Sequence, residues 1–187
     1  MKKFVLVLML ALMFVMPVMA QTAEETTHTA IEAEHVYWDD LEEDFVAKGM
    51  DGFFYDIRTD DFGMKLMIPD GMEQSSYENM EQDGVVTMFA TEDGSKKVFV
   101  TYRDLATDTY EGLVELLNDN YDNVFYKPSI INDLNTLIFY IPDQDTMTGA
   151  ILVDGTNFVQ VSITPMTDEA LNAYSGFILG SIQPLGE

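Results

Sequence analysis

Apolar and polar residues alternate with a period of two over most of the chain after residue 50, and this pattern predicts β-strands. Strands are predicted from Gly52 and over residues 62–68, 85–91, 97–102, 130–132, 136–141, 149–153 and 156–164. Asp93-Gly94 and Asp154-Gly155 lie between neighbouring strands and can supply the positive φ angles of tight hairpins. Strands that follow one another across such turns pair antiparallel.

Three segments have their apolar residues at helical spacing instead. The second of them begins at Tyr110, with Asp108 as the N-cap and Glu111 as its reciprocal partner. The third begins at Asp168, with Thr167 as the cap. The predicted inward residues of the first are Trp38, Leu41, Phe45 and Val46, and those of the third are Leu171, Tyr174, Phe177 and Ile178. The order of elements predicts an α+β fold in which helices pack on a mostly antiparallel sheet.

The N-terminal segment is predicted to be a signal peptide over residues 1–20. Lys2 and Lys3 precede an uninterrupted apolar run over residues 4–16, and small or medium-sized residues lead to a cleavage position after Ala20. No cysteine follows the run, which excludes a lipid-anchored lipoprotein. The alternative is an uncleaved anchor, since the whole apolar stretch reaches the lower limit for spanning a bilayer. The pattern favours cleavage and therefore an exported protein, secreted or located in the cell envelope.

Beyond the signal peptide, residues 21–35 are predicted to form a flexible acidic leader and residues 36–187 a single domain. The full chain has 33 acidic and 9 basic residues, a net charge of −24, and without residues 1–20 the net charge is −26. This charge disfavours nucleic acid and anionic membrane surfaces and favours basic partners or cations. The absence of cysteine excludes disulfides, thiolate zinc sites and a cysteine nucleophile.

Candidate catalytic chemistry is scarce in this sequence. The two histidines, His28 and His35, fall in the predicted leader, where a catalytic triad cannot hold its histidine in place. The loop from Asp143 to Gly149 begins like an EF-hand, but Met147 occupies its fifth position and no glutamate occupies its twelfth. We expect a solvated hairpin loop there. No residue is therefore predicted to be catalytic, cofactor-binding or metal-ligating, and no cofactor is predicted.

Two aromatic clusters, Phe53-Phe54-Tyr55 and Phe125-Tyr126, stand out among the predicted strand residues. Adjacent residues of a strand face opposite sides of the sheet, so both faces receive an aromatic ring. We expect helices to cover these rings. If a face is left uncovered, exposed rings of this kind often contact a protein partner.

The chain contains, in this order, the strand and turn at 63–71 (Gly-Met-Lys-Leu-Met-Ile-Pro-Asp-Gly), the Asp93-Gly94 hairpin, the helix from Tyr110, the short strand at 130–132, the strands around Asp154-Gly155, and the ending Ile178-Leu179-Gly180-Ser181-Ile182. Over roughly residues 50–184, this succession resembles the PsbP-like fold, named after an extrinsic protein of photosystem II. The opening Tyr37-Trp38-x-x-Leu41-Glu42 is similar to that of small exported bacterial proteins of unassigned activity. The resemblance implies a binding or assembly module, and no manganese or calcium ligand can be matched to it.

The functional hypothesis from the sequence is an exported, soluble, non-catalytic binding or assembly module at the cell envelope or outside the cell. Its partner would be a protein or a small ligand, and a basic one suits the charge. Two alternatives stay open. One is a hydrolase that uses carboxylates, and the other is an acidic protein that binds divalent cations. We expect no binding of nucleic acid and no stable membrane span after signal cleavage.

Overall fold

The structure, a computed structural model, describes residues 33–185, which form three helices and eleven strands. The helices are α1 (Trp38–Ala47), α2 (Tyr110–Asn120) and α3 (Glu169–Gly180). The strands are β1 (Glu34–Val36), β2 (Gly52–Arg58), β3 (Gly63–Pro69), β4 (Met72–Ser75), β5 (Val85–Thr91), β6 (Lys97–Asp104), β7 (Phe125–Ile131), β8 (Leu134–Ile141), β9 (Thr146–Asp154), β10 (Asn157–Thr164) and β11 (Gln183–Pro184). The predicted signal peptide and residues 21–32 of the predicted leader lie outside the described residues, whereas Glu34 and His35 belong to β1.

The main sheet has eight strands in the order β1-β7-β8-β9-β10-β6-β5-β4. Its consecutive hairpins pair antiparallel, as the turn residues predict, with Gly94 at a φ of +69° and Gly155 at +52°. The exception is β1, which pairs parallel with β7. The predicted α+β class with a mostly antiparallel sheet is confirmed.

A second, three-stranded sheet in the order β11-β3-β2 was not apparent from the sequence. Gly71, at a φ of +82°, follows β3 in a turn that leads into β4. This turn does not close a hairpin, because β3 belongs to the small sheet and β4 to the main one. The small sheet packs on the main sheet through rings such as Tyr55 and Phe89, whose centroids are 4.9 Å apart.

Both predicted caps of the later helices are displaced by one residue. The cap of α2 is Thr109, not Asp108, and its side chain accepts a hydrogen bond from the Gly112 amide at 3.1 Å. The cap of α3 is Asp168, which accepts from the Leu171 amide at 2.8 Å. Thr167 instead donates its amide and its hydroxyl to the carboxylate of Asp145.

Helix α1 has the predicted apolar face with one correction. Trp38, Leu41 and Phe45 are buried, but Val46 is 67% exposed. One further residue turns the helix by about 100°, which carries Val46 beyond the narrow stripe of the other three. None of the helices within residues 33–185 combines the length and the apolar character needed to span a membrane.

The core lies on both faces of the main sheet. On one face, α1, α3 and the small sheet pack around side chains such as Leu66, Val161 and Ile178, and on the other α2 covers Phe158. On the first of these faces, Ser181 joins α3 to the small sheet. Its hydroxyl accepts a hydrogen bond from the Met67 amide at 2.9 Å and donates one to the Ile178 carbonyl at 2.7 Å. The serine of the Ile-Leu-x-Ser-Ile ending thus ties α3 to β3.

Candidate functional site

Strand β2 forms the longest unpaired sheet edge in the described part of the chain. Each sheet has two outer strands, and those other than β2 are short: three residues in β1, four in β4 and two in β11. β2 has seven residues and, among residues 33–185, pairs only with β3. Short edge strands limit unwanted pairing with other chains, so the length of β2 sets it apart.

The backbone groups that face this open edge can be deduced from the hydrogen bonds of β3. Met67 lies opposite Phe54 and donates its amide to the Ser181 hydroxyl, away from β2. In an antiparallel ladder both backbone groups of a residue point to the same side, so the pair of Phe54 and Met67 is not hydrogen-bonded. Phe54 and, two residues on, Asp56 therefore direct their N–H and C=O groups toward the open edge. Asp51 lies three residues before Phe54, so its backbone groups should point to the opposite side, toward β3. They do, since the Asp51 carbonyl accepts a hydrogen bond from the Asp70 amide just after β3.

Aromatic rings flank this edge on both faces of β2. Phe53 lies 6.3 Å from the ring of Phe89 in the main sheet. Phe54, on the other face, meets the buried Trp38 edge-on at 5.4 Å, and the Lys65 ammonium lies 4.9 Å from its ring centroid. Phe53 and Phe54 nevertheless remain 40% exposed each, so the prediction that helices cover the first cluster is wrong. Helix α1 contacts Phe54 through Trp38, but this contact leaves 40% of Phe54 exposed.

The second aromatic cluster lies on β7, next to the outer strand β1 of the main sheet. Phe125 is 51% and Tyr126 45% exposed, so the expected cover is missing here too. This edge is less available, since β1 pairs with residues 129–131 of β7. Next to that pairing, Lys127 makes an ion pair with Glu34, and Pro128 has no amide hydrogen to donate.

The surroundings of β2 are acidic. Between residues 51 and 73 there are six acids, all exposed, and two basic residues. The acids are Asp51, Asp56, Asp60, Asp61, Asp70 and Glu73, and the basic residues are Arg58 and Lys65. A chain segment that approaches this edge therefore enters a region of negative potential, which favours basic segments.

The loop that begins like an EF-hand has a structural role in the described chain. Asp145, with a φ of +50°, uses its carboxylate to accept from Thr167 twice, from the amide at 3.0 Å and from the hydroxyl at 2.5 Å. These bonds fasten the turn between β8 and β9 to the start of α3. Within residues 33–185, no group of three or more histidine, aspartate or glutamate side chains is placed to hold a metal ion.

The carboxyl groups with displaced pKa values act in turns and caps. Hydrogen bonds from Thr91 and Ser95 lower the pKa of Asp93 to about 2. A backbone hydrogen bond from Ala106 lowers the pKa of Asp104, and one from Leu171 lowers that of Asp168. A general acid would need a raised pKa instead, and within residues 33–185 each resolved carboxyl shift is downward.

The remaining candidates from the sequence are placed apart from β2. His35 is an exposed residue of β1, and His28 lies outside the described residues. Lys96, near the tip of the β5–β6 hairpin, makes an ion pair with the α3 cap Asp168 at 3.0 Å. A shallow depression beside it is lined by residues of the same turn, including Thr91 and Asp93. The structure brings none of these groups to the aromatic edge.

No protein-family model matches the chain, and no curated protein matches its sequence. Among solved structures, the chain is similar to the solution structure of cyanobacterial PsbP (CyanoP) from Synechocystis sp. PCC 6803. The similarity covers 87% of this chain and 98% of that chain, with a TM-score of 0.45 and 11% sequence identity. The cyanobacterial protein has the PsbP-like fold, which is the fold that this sequence resembles. A likeness at this level carries no conclusion about activity, ligand or partner.

Proposed function

We propose that this chain is an exported, non-catalytic binding or assembly module that holds a partner protein at the β2 edge. The observation that carries the proposal is a seven-residue strand that pairs on one side only within residues 33–185 and has an exposed phenylalanine on each face. A partner that covers roughly 80 Å² of each ring gains about 2 kcal/mol per ring. Such aromatic groups are typical of the residues that dominate binding energy at protein interfaces.

The part of the proposal that concerns export rests on the sequence of residues 1–20. The basic start, the apolar run and the residues before position 20 are those of a cleaved signal peptide. We expect the mature protein to begin at Gln21 and to be found in the cell envelope or outside the cell. Intact-mass measurement of the protein recovered from outside the cytoplasm tests this, and a mass that includes Met1 contradicts it.

The two alternatives gain no support from the geometry of residues 33–185. A carboxylate hydrolase needs an acid of raised pKa beside a second acid at a fixed separation. The displaced carboxyl groups, Asp93, Asp104 and Asp168, have lowered pKa values and bond to their own turns or helix ends. For the cation-binding alternative, a thermal midpoint that rises in millimolar calcium would be the supporting result.

The experiment that tests the proposed function is capture of a partner from an envelope extract. The bait is the mature protein, and the test variant carries Phe53→Thr with Phe54→Thr, since threonine keeps a high strand propensity. The matched control carries Phe125→Thr with Tyr126→Thr, which removes two exposed rings from β7. A charge-matched acidic protein controls for nonspecific capture.

We expect a protein to be enriched by the wild type and by the β7 control, and to be lost with the β2 variant. Enrichment that survives the β2 substitutions would place the binding surface elsewhere. Equal enrichment on the acidic control protein would remove the support for a specific partner.

A further inference from the structure

We infer that the β2 edge binds its partner as an added β-strand and that the added strand is basic. This inference rests on the proposed function, whose binding edge it takes over, and it specifies the mode of binding and the chemistry of the partner. It would be a backbone-directed interaction, in which main-chain hydrogen bonds supply affinity and flanking side chains supply preference.

The backbone of β2 is arranged for this mode. Phe54 and Asp56 direct their amides and carbonyls away from β3, as the Met67–Ser181 hydrogen bond requires. The pairing of β2 with β3 runs without a bulge from Gly52 to Arg58, so the open side is a regular ladder. Native edge strands usually carry a bulge, a proline or a cover that prevents such addition, and β2 has none of these among the described residues.

The side chains of β2 fit alternate residues of an added strand. Neighbouring residues of that strand would point to opposite faces of the small sheet. On one face they would lie beside Phe54, and on the other beside Phe53 and Tyr55. Both faces thus offer aromatic surface at the positions where cross-strand pairs form.

The negative charge around β2 favours a basic strand as the partner. Six exposed acids and two basic residues lie between residues 51 and 73. The strand itself carries one of each, Asp56 and Arg58, and the excess of acids comes from the residues that flank it. A second copy of the mature chain, without residues 1–20, would bring a further net charge of −26 to this edge, and the repulsion disfavours self-pairing. A strand in which basic residues alternate with apolar ones meets both the acids and the rings.

The test uses a synthetic seven-residue peptide in which lysine and valine alternate, with both ends blocked. Trp38 is the only tryptophan of the chain and contacts Phe54, so its fluorescence reports on the edge. We expect saturable binding that weakens about tenfold or more when glutamate replaces lysine in the peptide. The β7 control, Phe125→Thr with Tyr126→Thr, should bind as the wild type does.

Asp56→Pro isolates the backbone contribution. Proline removes the amide that faces the open edge and leaves the bonds between β2 and β3 intact, as an edge position allows. We expect Asp56→Pro to weaken binding about tenfold beyond Asp56→Asn, which removes only the charge. A wild-type measurement guards against misfolding of the variant: a peptide N-methylated at every residue, which has no amide hydrogen on either edge, should not bind.

Equal affinity for the methylated and unmethylated peptides, or no binding of the lysine–valine peptide, would overturn the inference. So would sedimentation of the free protein as a dimer that Asp56→Pro dissociates, because a second copy would then occupy the edge. The two proposals fail separately. Partner capture that needs Phe53 and Phe54 but ignores Asp56→Pro overturns only the added strand, whereas peptide binding without any enriched partner overturns only the assembly function.

Discussion

Strands β2 and β7 each carry two exposed aromatic residues at a sheet edge, but their surroundings differ. The β7 rings, Phe125 and Tyr126, are 51% and 45% exposed, more than the 40% of Phe53 and Phe54 on β2. Exposed area alone would therefore favour β7 as a binding surface. The pairing of the backbone favours β2 instead. β7 is partly paired by β1, whereas no strand of the described chain pairs with the outer side of β2.

The two edges show what distinguishes a candidate binding strand from an exposed aromatic pair. At β7, an ion pair of Lys127 with Glu34 and the missing amide hydrogen of Pro128 protect the backbone. At β2, no proline or bulge interrupts the ladder. An exposed aromatic pair is a stronger indication of protein binding when unpaired backbone groups lie beside it. It is a weaker indication when those backbone groups are already hydrogen-bonded to a neighbouring strand.

The largest expected effect concerns Asn132, which follows β7 and joins the turn between β7 and β8 to α1 and to the end of α3. Its side chain accepts from the Trp38 amide at 2.8 Å and donates to the carbonyls of Gly180 at 2.9 Å and Ile182 at 2.6 Å. Asn132→Ala removes these bonds and places alanine at a φ of +45°. We expect a loss of about 3 kcal/mol in the free energy of unfolding, measured by urea titration.

Two further variants separate the causes. Asn132→Gly relieves the backbone but loses the same hydrogen bonds, so it should recover about 1 kcal/mol of the loss. Asn135→Ala, at an exposed position of β8, should change stability by less than about 0.5 kcal/mol. If Asn132→Ala lowers the free energy of unfolding as little as Asn135→Ala does, the Asn132 side chain does not hold the turn between β7 and β8 in place.

The second prediction tests the open backbone of β2 by hydrogen exchange. The amides of Phe54 and Asp56 face the edge, whereas those of Phe53 and Tyr55 face β3. We expect the latter pair to exchange about 100-fold more slowly than the former, because only they are hydrogen-bonded. Residues 129–131 of β7 are paired on both sides and should show no such alternation. Uniform protection along β2 would mean that its edge is covered in solution.

The third prediction concerns the ion pair that protects β7. Glu34→Gln removes the charge that faces Lys127, and both side chains are partly exposed, at 18% and 30%. We expect a loss of only about 0.5 kcal/mol, since such pairs are screened by solvent. Urea midpoints at low and high salt provide the measurement, with Glu92→Gln at an exposed turn as the control. A loss that persists at high salt would indicate a role beyond charge pairing.

The sequence predicted the local elements well, because period and turn chemistry are local properties. The hairpin at Asp93-Gly94 is confirmed, and so is the buried face of α1 except for Val46. The separation of β2 and β3 into a small sheet could not be predicted, since a turn such as the one at Gly71 has the same signature between two sheets as within a hairpin.

The candidate site was predicted only in part. The aromatic residues of β2 were visible in the sequence, but their exposure depends on where α1 and α3 pack. Which backbone groups of β2 face outward follows from a hydrogen bond to the distant Ser181, whose hydroxyl accepts from the Met67 amide. A contact between residues 114 positions apart leaves no local pattern, so no single-sequence signal could have identified the open edge.

The smallest expected effect is a pH dependence of stability that arises from the contact between Tyr37 and Asp133, in the turn after β7. The Tyr37 hydroxyl donates to Asp133 at 3.1 Å, and this hydrogen bond, followed by the nearby charge, raises the pKa of Tyr37 above its usual value of 10.0. A raised pKa in the folded state contributes stability that is complete below the unfolded value and is lost as the pH rises through the folded value. Wild-type stability should therefore fall above about pH 10.

Asp133→Asn tests this contribution without disturbing the turn, because asparagine tolerates the φ of +68° at this position. The variant should lose less stability than the wild type between about pH 9 and about pH 11, as the pKa of Tyr37 returns toward its ordinary value. Other tyrosines with raised pKa values, such as Tyr110, contribute equally to both proteins and cancel in the difference. Asp143→Asn, at an exposed acid of the β8–β9 turn, should behave as the wild type. Identical pH slopes for the wild type and Asp133→Asn would show that the Tyr37 contact does not hold α1 to the β7 edge.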